Sequence, residues 1–343
     1  MRVLVTGHEG YLGVILAQVL LQQGHDVVGL DTGYFRGCTL GPEPPALPAM
    51  TLDLRDVGPR HLEGFDAVVH LAALSNDPLG DLSPHITYDI NHAASIRLAR
   101  ASREAGVSRF LYSSTCSVYG ASSDDHFVDE SAPLKPITPY AVSKVRVEDD
   151  LHDLASDDFS PVSLRNATAF GFSPRLRADI VVNNLVGWAY LTGEVKVLSD
   201  GTPWRPLVHA RDIAAAFSAV LGAEREAVHN TAFNVGSESE NLRVSEIAYL
   251  VARAVPGCRV NITGETGSDA RSYRVDFSRL RQAVPAFRPR LTVADGATEL
   301  YEAYRQNGLT EGAFARSFTR LAWLRHLKEA GRLDEALRWQ GAR

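Results

Sequence analysis

The chain has 343 residues, 45% of them hydrophobic and 22% charged, with a formal net charge of −6. This is the composition of a globular protein with length for about two domains, and a negative balance without a basic run argues against a nucleic-acid partner. Three scattered cysteines, Cys38, Cys116 and Cys258, exclude a disulfide framework and a cysteine metal motif, and no window approaches the ~20 apolar residues of a membrane span. The apolar run Val3-Leu4-Val5 is too short for a leader and enters a glycine turn directly. The expected setting is therefore the reducing cytoplasm, with no membrane partner and no metal.

In chain order, Arg2–Thr6 reads as a short buried strand and 11–23 as a helix ending at Gly24. Apolar runs at 26–30, 67–71 and 109–113 read as further strands, the last two separated by a long helical pattern over 84–105. A helix is expected over 138–155 and a buried strand over 161–165. Near-continuous apolar strands alternating with helices predict a doubly wound parallel α/β sheet of the Rossmann kind, covered on both faces. After Arg165 the pattern loosens. Loops are expected at 171–177 and 199–206, helices at 180–191 and 211–221, and a short strand at 232–235. The expected division is a dinucleotide-binding domain (1–166 with about 207–237), a smaller discontinuous α/β substrate lobe (about 167–206 with 238–305), and a helical C-terminal extension (306–343). Within the last, 311–339 reads as a helix with Leu321, Leu324 and Leu327 at packing distance.

Gly7-His8-Glu9-Gly10-Tyr11-Leu12-Gly13 follows the first strand and opens the first helix. Gly7 permits a tight turn, Gly10 lets backbone approach a diphosphate, and Gly13 lets helix and sheet pack closely. The helix start then offers unpaired N–H groups and positive dipole to phosphates. Asp31 ends the second strand near the ~20-residue offset at which an acid binds an adenosine ribose. A carboxylate there repels a 2′-phosphate, which favours NAD over NADP. Arg36 lies close enough to support a phosphate, and Asp31 is also a fitting turn-initiating residue before Thr32-Gly33.

Tyr140-Ala-Val-Ser-Lys144 lies inside the expected helix 138–155, and residues four apart share a helix face. A phenol titrates near ~10, too high for a base at neutral pH, and a neighbouring ammonium favours the phenolate. Ser113-Ser114-Thr115 ends a strand, where parallel sheets place ligands. Thr115 there would hydrogen-bond a sugar hydroxyl as it becomes a ketone. Each feature has a plain structural alternative, a surface aromatic beside a lysine and a strand-end threonine capping a loop.

Together these residues resemble the extended short-chain dehydrogenase/reductase family, the nucleotide-sugar epimerases and dehydratases, UDP-glucose 4-epimerase-like enzymes among them. Further matches are Asp53-Leu54-Arg55-Asp56, His70-Leu71-Ala72-Ala73, Asn91, Tyr112 through Gly120, Leu164-Arg165, Asn183-Asn184-Leu185, Asp200-Gly201 with Arg205 and Val208-His209, and Phe233-Asn234-Val235-Gly236. The resemblance implies NAD held by Gly7, Gly10, Tyr11, Leu12, Gly13 and Asp31, with adenine at Asp53 and Leu54. It implies that Leu71, Ala72 and Ala73 line the diphosphate and nicotinamide ribose, with Asn91, Ser113, Tyr140 and Lys144 beside the cofactor. Thr115, Tyr140 and Lys144 would be catalytic. A nucleoside-diphosphate sugar would meet Thr115, Cys116, Ser117, Tyr140 and Thr168, with Asn184 and Arg205 on its diphosphate, for which a forked guanidinium is suited. Homodimerisation is implied through helices near 92–105 and 140–155.

The departures narrow the reaction. The family's 4,6-dehydratases carry Asp-Glu directly after the active-site Thr; here Cys116-Ser117 stands there, so the acid and base of that elimination are missing. The family's 3,5-epimerases place a Cys where Ser117 stands, one residue later than Cys116. Cys116 reads either as an acid/base or as a small buried residue. Thr168 takes the place of an Asn that often contacts the diphosphate. Arg175 and Arg177 either reach the substrate's charged groups or sit as solvated loop residues. Arg271 is a candidate phosphate ligand in a shifted register. The expected activity is C4 epimerisation through a transient keto sugar. A keto-sugar reductase, a 3,5-epimerase or dehydratase of the same family, and a non-catalytic nucleotide sensor are the alternatives.

Overall fold

The computed structural model describes residues 1–75, 83–120, 126–265 and 272–341. Seven parallel strands form the main sheet: β1 (Arg2–Thr6), β2 (Asp26–Asp31), β3 (Ala49–Thr51), β4 (Ala67–His70), β5 (Arg109–Thr115), β7 (Ser160–Asn166) and β11 (Thr231–Val235). Their order is β11-β7-β5-β4-β1-β2-β3. Alternate residues of each strand enter opposite cores. Val3 and Val5 pack with Leu16, Leu20, Ile213 and Phe217 from the helices Gly13–Gln22 and Ala210–Leu221. Leu4 packs on the other face with Leu98 and Val147 from the helices Ala94–Glu104 and Pro139–Leu154. Burial on both faces is why the strands read as unbroken apolar runs. The strand order reverses between β1 and β4, and that opens a crevice at the carboxyl ends of the strands.

The second core is built around Phe170, Val186, Leu207, Ile247 and Tyr304. The short strands β8 (Thr168–Phe170), β10 (Trp204–His209) and β12 (Asn241–Arg243) form one small sheet, and β9 (Glu194–Val197) pairs with β13 (Arg259–Ile262). A last short pair joins β6 (Phe127–Val128) to β14 (Arg274–Val275). Helices Val181–Thr192, Val244–Ala254 and Val293–Gln306 cover the lobe. The loop expected over 199–206 ends early, since β10 begins at Trp204. Pro206 sits where pairing passes from β12 on one side to β8 on the other, a place where its missing N–H is tolerated.

The tail also differs from expectation. It is not one helix over 311–339 but a wide turn at Ala313–Ser317, a helix Arg320–Glu329 stopped by Gly331 at φ +67°, and an irregular end closed by a bridge between Leu333 and Trp339. Leu324 and Leu327 are buried with Tyr34, Leu74 and Ile90, so the tail folds onto the first domain. The 84–105 pattern is likewise interrupted, by a widened turn at Asp89–Ala93. No described helix is long and apolar enough to cross a membrane.

His70, at the end of β4, locks the reversal point. Its Nδ1 lies 2.7 Å from Thr6 Oγ1 on β1, and its Nε2 2.7 Å from Ser95 Oγ on the helix behind. Burial pushes its pKa down to about 3 from an ordinary 6.5. As pH falls below 6.5 the unfolded chain therefore binds this proton before the folded one does. Stability is lost progressively between pH 6.5 and 3, by an amount of the order of a few kcal/mol. A His70→Asn variant is expected to show a flatter pH dependence of unfolding free energy in that window. An unchanged slope in denaturant titrations would remove His70 from this role.

Candidate active site

The first half of the crevice is a dinucleotide-shaped cleft. Gly7 leaves β1 at φ +73°, and a Cβ there would lie 2.8 Å from Ala72 N. A Cβ at Gly13 would lie 2.1 Å from Gly7 O, so the helix starts directly on the turn. Gly7, Gly10, Tyr11, Leu12 and Gly13 line this cleft together with Asp31, Asp53, Leu54, Leu71, Ala72 and Ala73. The Asp31 carboxylate accepts hydrogen bonds from Gly33 N (2.7 Å) and Glu9 N (3.1 Å), and burial raises its pKa. Arg36 is taken up elsewhere: its Nε is 2.9 Å from both Glu9 carboxylate oxygens, and its Nη2 donates to Thr51. Asp31 at the end of the second strand and Glu9 on the glycine turn thus put two carboxylates at this corner, with the nearby cation engaged by Glu9, which suits a free ribose and opposes a 2′-phosphate. These residues fit NAD.

Two of the cofactor residues expected from the sequence act less directly. Asp53 lines the cleft, but its carboxylate is gripped by Arg55 through Nε at 2.9 Å and Nη2 at 2.7 Å. Asn91 does not line it. Its side chain instead clamps the backbone of Leu74, accepting from the N–H (2.8 Å) and donating to the carbonyl (3.0 Å), and so holds the segment after β4.

The second half of the crevice gathers Ser113, Thr115, Ser117, Tyr140, Lys144, Thr168, Asn184 and Arg205. Thr138 caps the helix Pro139–Leu154 by accepting from Ala141 N, which sets the first turn that carries Tyr140. Lys144 is buried one turn on. Its Nζ donates to Ser113 O at 2.6 Å, and lies 4.7 Å from the Tyr112 ring centre and 5.7 Å from that of Tyr140. Burial brings its pKa down to about 7, with Glu148 partly opposing the shift. The ammonium thus sits where an anion at Tyr140 would be its natural counterpart. Behind it, Glu148 on the same helix takes a forked bond from Arg165 on β7, with Nη2 at 2.6 Å, which fixes the helix to the sheet. Thr115 Oγ1 accepts from Ser117 N at 3.1 Å.

Cys116 is the clear correction among the substrate contacts. It is 1% exposed and its sulfur lies 3.1 Å from Arg165 O, on the core side of the sheet, because successive residues leaving β5 point to opposite sides. Burial raises its thiol pKa further, so it is packing rather than an acid or base. The two loop arginines also separate, and neither is solvated. Arg175 pairs with Glu43 at 3.0 Å away from the cleft. Arg177 lines both halves of the crevice, forks onto Asp179 at 3.1 Å on each arm, and donates to Ser75 Oγ at 3.2 Å. Burial works against its charge, but Asp179 keeps the guanidinium above its ordinary value. Arg271 lies outside the described residues. Ser75, Asn166, Asp179 and Tyr273 also line the cleft and were not expected. Asn166 had a signal, since it ends a parallel strand; its Nδ2 donates to Ser113 Oγ at 3.1 Å. The other three sit on loops whose sequence carries no period.

A Rossmann sheet with a glycine turn, an acid at the end of the second strand and a Tyr/Lys pair across the crevice defines an extended short-chain dehydrogenase/reductase. Residues 3–236 match the NAD dependent epimerase/dehydratase family. UDP-glucose 4-epimerase of Mycolicibacterium smegmatis is 28% identical over 89% of this chain and 99% of its own. MoeE5, solved in complex with UDP-glucuronic acid and NAD, is 27% identical with a TM-score of 0.77, over 89% of this chain and 99% of that one. The UDP-glucose 4-epimerase of Thermus thermophilus, solved with NAD, is 26% identical with a TM-score of 0.76 over the same shares. The chain belongs to the NAD dependent epimerase/dehydratase family and is an NAD-dependent enzyme of the nucleotide-sugar epimerase type.

Removing the Tyr140 hydroxyl tests the site. Tyr140→Phe is expected to lower kcat by about 10²–10⁴-fold, the usual worth of a positioned acid/base. The melting temperature and the NAD content of the purified protein should stay unchanged. Loss of bound NAD or of the fold, with the per-holoenzyme rate preserved, would make Tyr140 structural.

Proposed function

We propose that this enzyme inverts C4 of a nucleoside-diphosphate hexose, with uridine as the base. The observation that carries the reading is the pairing of Thr115, Tyr140 and Lys144 on a cleft whose next two residues, Cys116 and Ser117, supply no carboxylate for elimination. Among the described residues lining this half of the crevice Asp179 is the one carboxylate, and it is forked by Arg177. The uridine base rests on the relatives, a UDP-glucose 4-epimerase and MoeE5 in complex with UDP-glucuronic acid.

NAD, held by the glycine turn and Asp31, would supply a hydride acceptor and donor for the sugar carbon. Tyr140 acts as the phenolate, which Lys144 favours by its charge, and becomes the phenol as it takes the proton of the C4 hydroxyl. Thr115 donates to the same oxygen and keeps it in line as it becomes a ketone. After the keto sugar turns over in the cleft so that its opposite face receives the hydride, Tyr140 returns the proton to the C4 oxygen. Arg205 and Asn184 hold the diphosphate as the pivot about which the sugar rotates. Ser113, through its carbonyl, fixes Lys144 and so the height of the pair above the sheet.

The test is NMR of UDP-hexoses incubated with purified protein and no added cofactor. Inversion at C4 without net consumption of dinucleotide is expected. A stoichiometric need for NADH would instead make the enzyme a keto-sugar reductase, and an unchanged panel would end the proposal. A homodimer through the exposed faces of Ala94–Glu104 and Pro139–Leu154 belongs to the same proposal. Light scattering should give about twice 37.3 kDa; a monomer mass would refute it.

A further inference from the structure

The C-terminal segment beyond the family match packs onto the cofactor cleft itself. Trp323 Nε1 donates to Tyr34 O at 2.7 Å, Trp339 Nε1 to Thr32 O at 2.7 Å, and Tyr34 Oη to Leu337 O. Arg55, which holds Asp53, donates to Ala336 O at 2.7 Å. All of these contacts fall on the residues after Asp31 or on the Asp53 corner, the two parts of the cleft lining where the sequence places adenosine. From the first turn of the helix Arg320–Glu329, Arg320 reaches the cleft lining beside Gly10, Leu12 and Arg177.

Arg320 is 2% exposed, with its guanidinium 4.0 Å over the Phe35 ring. Its Nη2 donates to Arg175 O at 3.0 Å, while its buried Nη1 has no partner among the described residues. The 171–177 loop that receives it is tied to the glycine turn, since Ser173 Oγ donates to Tyr11 O at 2.8 Å. The neighbouring arginines are already matched, Arg175 by Glu43 and Arg177 by Asp179. Among the described residues Arg320 has no such carboxylate, and burial pushes its pKa down to about 10. An uncompensated buried cation is costly, and such sites exist where an anion completes them.

We propose that Arg320 is a ligand for the diphosphate of the bound dinucleotide, and that the C-terminal segment carrying it is a fixed wall that keeps NAD in place through turnover. The proposal rests on NAD being the cofactor and not on which sugar carbon reacts. Arg320 lines the same cleft as the glycine turn and the helix start at Gly13, so backbone N–H groups and a charged fork would both be within the site that takes the two phosphates. A cofactor that is reoxidised within each catalytic cycle has no need to leave, and a wall built from the chain's own end suits that economy.

The measurement is exchange of bound NAD for isotopically labelled NAD on the purified holoenzyme, followed by mass spectrometry. Arg320→Met is expected to speed exchange by about 10- to 100-fold, the worth of one charge-assisted hydrogen bond. Its thermal midpoint without added NAD should hold or rise, and the rise on adding NAD should shrink. ADP-ribose should compete for the site less well than with the unaltered protein, by a similar factor, while competition by adenosine stays the same. Arg320→Gln, which keeps a polar group for the Arg175 carbonyl, serves the same test if the methionine variant does not fold. Exchange as slow as in the unaltered protein overturns the proposal. So does an equal fall of both thermal midpoints with the NAD-induced rise intact, which would mark Arg320 as packing. Equal weakening of adenosine would overturn the diphosphate contact.

Discussion

Where β1 and β4 part, the backbone of Gly7 runs so close to Ala72 that no side chain fits between them, and the crevice depends on that approach. It brings the turn at 7–13 and the segment at 71–75 onto one floor, with the first helix aimed at the space above. His70, one residue before that segment, holds the same junction through Thr6 and Ser95. Asn91 then pins Leu74 from behind. A diphosphate needs converging N–H groups with no Cβ in the way, and these contacts hold that arrangement rigid before any ligand arrives.

The chemistry on the other half depends on charges taken out of water. Lys144 is buried against a carbonyl, where its charge is disfavoured, and the helix bearing it is fixed by the buried Glu148–Arg165 pair. Breaking such a pair by removing one partner leaves an unmatched charge, which is far more damaging than the pair is stabilising. The pair therefore acts as a positional lock for Tyr140 and Lys144. Arg177 with Asp179 plays the corresponding part between the two halves of the crevice, a matched pair whose arginine lines both. Arg320 stands apart from both, with no carboxylate to match it among the described residues.

The dinucleotide half was legible because its requirements are local. A tight turn after a strand needs glycine, and a ribose needs an acid one strand further on; both fall at fixed spacing along the chain. The Tyr140/Lys144 pair was legible for the same reason, since four residues make one helical turn. Cys116 and Arg175 were not. Adjacent residues at a strand end point to opposite sides, and nothing in Thr115-Cys116-Ser117 says which side faces the cleft. Arg175 and Arg177 are two residues apart on a loop with no period, and only the positions of Glu43 and Asp179 separate them.

By itself, the sequence determined the parallel sheet, the glycine turn and the Tyr140/Lys144 pair, because these follow from short-range stereochemistry and from hydrophobic period. Tertiary structure alone decided what fills the rest of the crevice. Asn166, Ser75, Asp179 and Tyr273 come together there from separate segments of the chain. The tail read as one amphipathic helix, yet Gly331 ends it and Trp323 and Trp339 find their hydrogen-bond acceptors at Tyr34 and Thr32, near the other end of the chain. Contacts across such separations leave no spacing to read, since what determines them is where the sheet brings the chain ends together.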